Sequence, residues 1–452
     1  MTDTIIAQST PPGQSALALI RISGPMCKDI AKKALSIPSP TPRFSYLRNY
    51  ISLDPELGMI DQVVAVFFQA KKSFTGDDTL ELSCHGNPLI VEKIIQDLSK
   101  RGCRIADPGE FSKRAFLTGK IDLNQAESII EVISAKSEAE LLIANANLLG
   151  ASSKTFKSLQ EKILQYQAEL EASIDFPEEE LEFESNERLL KSLSLLIDEM
   201  KSLIKNSEKK TELSESLKVL IIGPPNAGKS TLFNSLVGQD RALVSENPGT
   251  TRDYLTYQIK IGKYRIELID TAGIRTTEDE TESLGIQKSF ELLGNSHLIL
   301  FVIDGSSPYP NEFYDLIAPS ISTKNIVIIE NKKDLSIPDY KSKYPEHYST
   351  LSICANSPKD TEVVLDEIDQ YFRGEFPTDP SNELLINARH ANLLQSALKE
   401  LSSSREGMKN QIGTEFILQK INSCRDFIDQ IIGDKSNEDV LDKIFNQFCI
   451  GK

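Results

Sequence analysis

The stretch Gly223-Pro-Pro-Asn-Ala-Gly-Lys-Ser230 has the residue types and spacing to bind phosphate. The pattern G-x-x-x-x-G-K-S cradles phosphates when it joins a strand to a helix. Backbone amides then turn inward, and the helix N-terminus adds the positive end of its dipole. The lysine reaches the β- and γ-phosphates, and the serine holds Mg²⁺. Both flanks are present. Leu217-Lys-Val-Leu-Ile-Ile222 is apolar almost without break, as a buried parallel strand is. Thr231 to Val237 has helical spacing and meets a stop at Gly238. Asn226, Ala227, Gly228, Lys229, Ser230 and Thr231 are therefore expected to form a nucleotide phosphate site, with Ser230 as a Mg²⁺ ligand.

Further stretches select the nucleotide. Tyr264-Arg-Ile-Glu-Leu-Ile269 reads as a strand delivering Asp270, Thr271, Ala272 and Gly273. The Asp270 carboxylate can hold Mg²⁺ through water, and the Gly273 amide can sense a γ-phosphate. Asn325-Ile-Val-Ile-Ile-Glu330 is a second strand, delivering Asn331, Lys332, Lys333 and Asp334. An aspartate there accepts two hydrogen bonds from the Watson–Crick edge of guanine, a donor pair that adenine lacks. Cys354, Ala355 and Asn356 occupy the place of the last base-contacting loop. A switch loop is expected from Ser245, Glu246, Asn247, Pro248, Gly249, Thr250 and Thr251, with Thr251 as a second Mg²⁺ ligand. Four motifs in order, each at a strand end, point to GTP hydrolysis.

One position departs from the Ras-like pattern. Ile274 stands where a glutamine orients the attacking water. Glu282, in Thr277-Glu-Asp-Glu-Thr-Glu282, is the candidate to position that water; on spacing alone it is equally a surface charge. No arginine finger is evident in the chain itself. The side-chain carbonyl of Asn226 can help ligate a monovalent cation that neutralises charge on the β–γ bridge, or it is an inert loop amide.

The elements that hold these motifs fall into segments. At 452 residues the chain is long for one domain, and its 40% apolar content supports several cores. Residues 1–119 mix strands at 4–7, 16–22, 62–68 and 79–83 with a helix over 88–100, an α+β domain. Helical periodicity covers 122–149, 153–173 and 186–205, and returns at 382–405, 412–432 and 437–447. The simplest organisation is an N-terminal α+β domain (1–119) and an all-α domain in two parts (120–214 and 377–452). An α/β P-loop domain (215–376) is inserted between those parts. Residues 169–188 carry nine carboxylates against Arg188 alone, a solvated helix end and loop or an interaction segment. A net charge of −16 argues against nucleic-acid binding over the whole surface, and no DNA-binding role is expected. No run of 18 apolar residues predicts a membrane span, and no signal peptide is evident. Six scattered cysteines without C-x-x-C spacing fit a reducing cytoplasm. The tail Phe448-Cys-Ile-Gly-Lys452 is not a prenylation box.

Taken together the residues resemble the MnmE (TrmE) family of tRNA modification GTPases along the whole chain. The resemblance includes Thr4-Ile-Ile-Ala-Gln8, Pro11-Pro-Gly13, Arg21-Ile-Ser-Gly24, Phe74-Thr-Gly76, Cys84-His-Gly86 and Pro108-Gly-Glu-Phe111. It continues through Asp175-Phe-Pro-Glu178, Arg389-His390 and the terminal pentapeptide, which with Phe-Pro-Glu is the most specific part. It implies a folate-binding-like N-terminal domain that dimerises and takes 5-formyltetrahydrofolate as one-carbon donor. Arg21, Glu81 and Lys120 match the folate positions, with Lys452 nearby. It implies a homodimer working with an FAD-dependent MnmG-like partner, as a heterotetramer. Such proteins install an aminomethyl or carboxymethylaminomethyl group on carbon five of the wobble uridine (position 34) of certain tRNAs. FAD enters through the partner only. K⁺-dependent dimerisation of the GTPase domains is implied around Asn226, Ser245, Asn247 and Thr250, with Glu282 in the catalytic glutamate's place. Cys449 falls where a catalytic thiol has been proposed. Cys354 departs from a common serine, with little effect expected at a backbone contact. Two other readings stay open: a ribosome-assembly or regulatory GTPase switch, which should carry a basic appended domain, and a scaffold whose nucleotide only locks conformation.

Overall fold

The structure, a computed structural model, describes residues 3–175, 182–241, 255–270, 292–308, 310–321, 325–335, 348–376, 386–435 and 438–451. The chain divides into two compact units. One comprises Met1–Ser134, Ala144–Ser202 and Arg389–Lys452; the other comprises Ala135–Ile143 and Leu203–Ala388.

The first unit begins with a six-stranded sheet. Its strands are β1 (Ile5–Gln8), β2 (Leu17–Ser23), β3 (Ser45–Ile51), β4 (Met59–Phe68), β5 (Thr79–His85) and β6 (Arg104–Ile105). The spatial order is β3-β4-β5-β2-β1-β6, antiparallel except for the parallel β1–β6 pair. Helices α1 (Cys27–Leu35) and α2 (Pro88–Lys100) contribute Ile30, Ala31, Leu35, Val91, Ile94 and Leu98 to a core with Ile20, Ile22, Val63 and Leu82. Helix α2 starts where its sequence dictates. Pro88 takes the first turn and Asn87 accepts the Leu89 amide at 3.0 Å. Helix α3 (Glu110–Leu117) follows, setting Phe111 against Ile5 and Ala7.

Helices α4 (Leu123–Ser134) and α5 (Glu138–Leu148) replace the single helix expected over 122–149. The break has a local cause. Ser137 and Glu140 form a capping box: Ser137 Oγ accepts the Glu140 amide at 3.1 Å, and the Glu140 carboxylate accepts the Lys136 amide at 3.1 Å. Helix α6 is Ala151–Asp175, and α7 is Glu182–Glu215, longer than the 186–205 expected. After the second unit the chain returns as α11 (Ala388–Lys409), α12 (Thr414–Ile432) and α13 (Glu438–Phe445).

The second unit carries a six-stranded sheet in the order β12-β11-β10-β7-β9-β8, parallel throughout except for antiparallel β8. The strands are β7 (Leu217–Ile222), β8 (Leu255–Ile261), β9 (Tyr264–Asp270), β10 (Leu298–Asp304), β11 (Ile326–Asn331) and β12 (Ser349–Ser352). β10 and β11 are buried on both faces, as uninterrupted apolar runs in a parallel sheet require. The helices described are α8 (Lys229–Arg241), α9 (Asn311–Ile321) and α10 (Pro358–Glu375). Gly238, the expected stop of α8, leaves helical geometry at φ 41°, ψ 152°. Among the described residues, no helix is long and apolar enough to cross a membrane.

Candidate functional site

The phosphate loop leaves the carboxyl end of β7, where an open α/β sheet binds ligands. Two of its glycines are there for sterics. A Cβ at Gly223 would lie 2.0 Å from the Val302 carbonyl oxygen, and one at Gly228 would lie 2.1 Å from Asn331 Nδ2. Asn226 sits at φ 62°, a left-handed geometry that asparagine tolerates, with its side chain exposed at the loop's crest. The Lys229 ammonium donates to the Pro224 carbonyl at 2.9 Å. Burial pushes its pKa below the ordinary lysine value, against the opposing pull of Asp270. Ser230 Oγ donates to Asp270 Oδ2 at 3.2 Å, and Asp270 is wholly buried at the end of β9. A serine hydroxyl beside a carboxylate is a hard-oxygen pair suited to Mg²⁺.

Asn331, at the end of β11, joins the loops. Its Nδ2 donates to the Ala227 carbonyl at 2.9 Å, and its Oδ1 accepts the Ala355 amide at 2.9 Å. The loops after β7 and β12 are thereby held on one buried side chain. Ser235 Oγ on α8 donates to the Ala355 carbonyl at 2.7 Å, a second tie. Asp334 lies exposed three residues beyond Asn331.

Two supporting carboxylates were not anticipated. Asp304, at the end of β10, pairs with Lys332 at 2.5 Å. Burial raises its pKa, but hydrogen bonds from Lys332 and Ser306 outweigh that and hold it at about 2. Asp360, in the first turn of α10, accepts the Cys354 amide at 2.7 Å and Lys333 Nζ at 2.6 Å. Burial opposes ionisation there too, and Lys333 with the Cys354 amide lowers the pKa nonetheless. Ser357-Pro-Lys-Asp360 is a helix start with an acid in its first turn, a signal the sequence did carry. The expected residues Ser245, Glu246, Asn247, Pro248, Gly249, Thr250, Thr251, Thr271, Ala272, Gly273 and Glu282 lie outside the described residues. Thr231, Lys332 and Asn356 are on the α8 start, the β11 loop and the β12 loop respectively.

In the first unit Arg21 and Glu81 face each other across β2 and β5, with Nε–Oε1 at 2.9 Å. The guanidinium lies 5.7 Å from the ring centroid of buried Phe111. Its Nη1 donates to the Gly451 carbonyl at 3.2 Å, which also accepts Ser9 Oγ at 3.0 Å. Gly451 has φ 98°, and a Cβ there would lie 2.4 Å from the Gln8 carbonyl oxygen. Only glycine fits that seat. Phe448 is buried against the α4/α13 core, with its ring 5.6 Å from that of Phe445. All six cysteines lie within the described residues, and Cys449 alone is exposed. Burial pushes the Cys84 and Cys103 thiols up to about 11. Lys120 is not joined to Arg21: its ammonium donates to the Lys71 carbonyl. Lys452 lies outside the described residues. Ser9 and Phe111 were not anticipated around Arg21, because their contacts are set by the tail and by α3 rather than by any local motif.

A mostly parallel sheet with a phosphate loop at its carboxyl edge, a buried aspartate beside the loop serine and an asparagine tying that loop to the one after β12 define a P-loop GTPase. Models of known families match nearly the whole chain: "MnmE helical domain" over residues 123–449 and "GTP-binding protein TrmE N-terminus" over residues 4–120. The tRNA modification GTPase MnmE of Opitutus terrae is 36% identical, covering 100% of this chain and 99% of its own length. That of Clostridioides difficile is 34% identical with the same coverage. Among solved structures, the G domain of the T. maritima FeoB iron transporter is 22% identical over 34% of this chain and 98% of its own, with a TM-score of 0.28, too low to weigh on the fold. The chain belongs to the MnmE family of tRNA modification GTPases.

Proposed function

We propose that this chain hydrolyses GTP in the service of tRNA wobble uridine modification. The observation that carries the nucleotide half is the Asn331 bridge, which braces the phosphate loop against the loop expected to meet the base. In this reading Lys229 exchanges the Pro224 carbonyl for phosphate oxygens, and Asp334 accepts the guanine edge. Ser230 and Thr251 hold Mg²⁺, whose charge stabilises the leaving diphosphate. Glu282 orients the water in place of the missing glutamine. Asn226, with Ser245, Asn247 and Thr250, forms the shell for K⁺.

The modification half rests on the family and on the first unit. Arg21 and Glu81, with Lys120 and Lys452, form the 5-formyltetrahydrofolate site of the N-terminal domain (1–119). The Gly451 seat supports this by bringing the tail, two residues after Cys449, to Arg21. The GTPase domain (215–376) is inserted between the halves of the helical domain (120–214 and 377–452). The chain acts in the cytoplasm as a homodimer with an FAD-dependent MnmG-like partner and attaches the aminomethyl or carboxymethylaminomethyl group to tRNA. Mass spectrometry of wobble uridines from cells lacking the chain tests the reading: the modified nucleoside should vanish and return on complementation. A level of modified nucleoside equal to the parent's would refute it. GTP turnover by the purified chain separates it from a scaffold.

A further inference from the structure

A cleft of about 330 Å³ opens in the second unit between the β8–β9 hairpin and the residues that lead into α5. Four cationic side chains line it, those of Lys136, Lys260, Lys263 and Arg265, against one carboxylate, that of Glu138. The pairing of Lys260 with Glu138 is loose, at 3.4 Å with both side chains about half exposed. Glu140, also in the first turn of α5, does not line the cleft. It is turned back onto the Lys136 amide and the Ser137 hydroxyl of its own cap. Arg265 is braced on Gln258, and Lys136 and Lys263 extend into solvent. A second cleft of about 350 Å³ at the same hairpin shares Lys260 with the first and is otherwise lined, among charged groups, by Glu362, Asp366 and Asp369. The cations outnumber the carboxylates only in the first of these hollows, in a chain whose net charge is −16.

We infer that the basic cleft grips the sugar–phosphate backbone of tRNA. The inference rests on the tRNA-modification reading and names a place where this chain itself touches the RNA. Exposed lysine stems around an open hollow suit a row of phosphates, met as point charges without base readout. A buried single-anion site would need fixed, desolvated donors, and these cations are solvated. Such contacts position the RNA and release counterions, so their signature is salt dependence rather than sequence preference.

The test is binding of a tRNA transcript to the full-length chain, by fluorescence anisotropy across a series of KCl concentrations. Lys136→Glu with Lys263→Glu is the variant, because neither side chain braces another residue. Affinity should fall at least about tenfold, and the log–log salt slope should become shallower by about 2, near one for each phosphate that the variant no longer neutralises. GTP turnover and the thermal unfolding midpoint should match the parent's, and Lys136→Gln with Lys263→Gln should fall between. Equal affinity and slope for parent and charge-reversed chains overturn the inference. So does a variant that binds tRNA normally but loses association with an acidic protein partner. A parent chain that binds no tRNA overturns it as well, and the wobble-uridine assay then judges the modification reading on its own.

Discussion

At the residue scale, the nucleotide site is made of side chains that would be ordinary apart. Gly228 shows this best. With φ at 94° and its missing Cβ 2.1 Å from Asn331 Nδ2, it permits the contact that ties two loops together. Gly228→Ala should push Asn331 off the Ala227 carbonyl and lower GTP affinity by more than about tenfold, the scale of losing one buried hydrogen bond and straining the loop; calorimetric titration reads it. Asp334→Asn should weaken GTP and admit xanthosine triphosphate, because the amide presents a donor where guanine also donates. Unchanged GTP affinity would remove Asp334 from the site. Asp304 makes a different prediction. Its folded pKa, about 2, lies below the ordinary 3.8. Between those values the unfolded chain binds more protons, so the contribution is complete above about pH 4 and is lost as pH falls toward 2. It is worth of order 1 kcal/mol once solvent screening near the surface is allowed for. Lys332→Met should flatten that acid limb in urea unfolding curves recorded from about pH 5 to 2, a range spanning the carboxylate values.

At the element scale, a buried ionic cluster on α4 and α11 is among the ties that fasten the helical part of the first unit. Glu127 on α4 accepts Arg389 Nε at 2.5 Å and Nη2 at 3.0 Å, and pairs with His390 Nε2 at 2.9 Å. Burial pushes its carboxyl up, but His390 and Arg389 outweigh this and hold it far below the usual range. Arg389 also donates to the Gln430 and Ile431 carbonyls at the end of α12, so three helices meet there. Glu127→Ala takes the carboxylate away from buried His390 and half-buried Arg389 and should cost about 3 kcal/mol or more. Pairing it with Arg389→Gln should cost less than the sum of the two, in a double-mutant cycle read by thermal unfolding. The elements themselves were unevenly legible. Helix α2 and strands β7, β9 and β11 stand out in sequence because caps, stops and apolar runs are local signals. The split between α4 and α5 was legible in Ser137-Glu-Ala-Glu140 and was overridden by the apolar period running through it. Arg389-His390 stood out in sequence only as part of the family resemblance, and its pairing with Glu127 was not legible, since the partners are 262 residues apart. Asp304 and Asp360 act as braces only after the strands are ordered in space.

At the scale of the whole molecule, Ile274 in the usual glutamine's place, with no arginine finger expected from the chain itself, makes the proposed mechanism draw its charge from elsewhere. A supplied arginine finger is worth about 10³ to 10⁵ in rate. Asn226 is a neutral acceptor, exposed in its loop, and in the proposed function it serves by ligating a cation rather than by carrying charge. In the proposed mechanism K⁺ should therefore raise both turnover and association of GTPase domains, while Na⁺, too small for the shell, should do so poorly. Asn226→Ala should lose most of this response and keep nucleotide affinity. Turnover and sedimentation with a transition-state mimic in K⁺, Na⁺ and neither supply the check. Equal rates in the two salts would end the hypothesis.

The discontinuity of the first unit has a consequence for biosynthesis. Glu127 leaves the ribosome 262 residues before Arg389 does. At about 5–20 residues per second, its carboxylate waits on the order of tens of seconds for its counter-ions. The intervening sheet with its phosphate loop is complete within that interval and can fold while the helices on either side are still unpaired. During those seconds the apolar faces of α4 and α6 are what a nascent-chain chaperone would meet. Variants that slow closure, such as Glu127→Ala, should show their damage first as lost yield during synthesis, before any loss of activity in the molecules that survive.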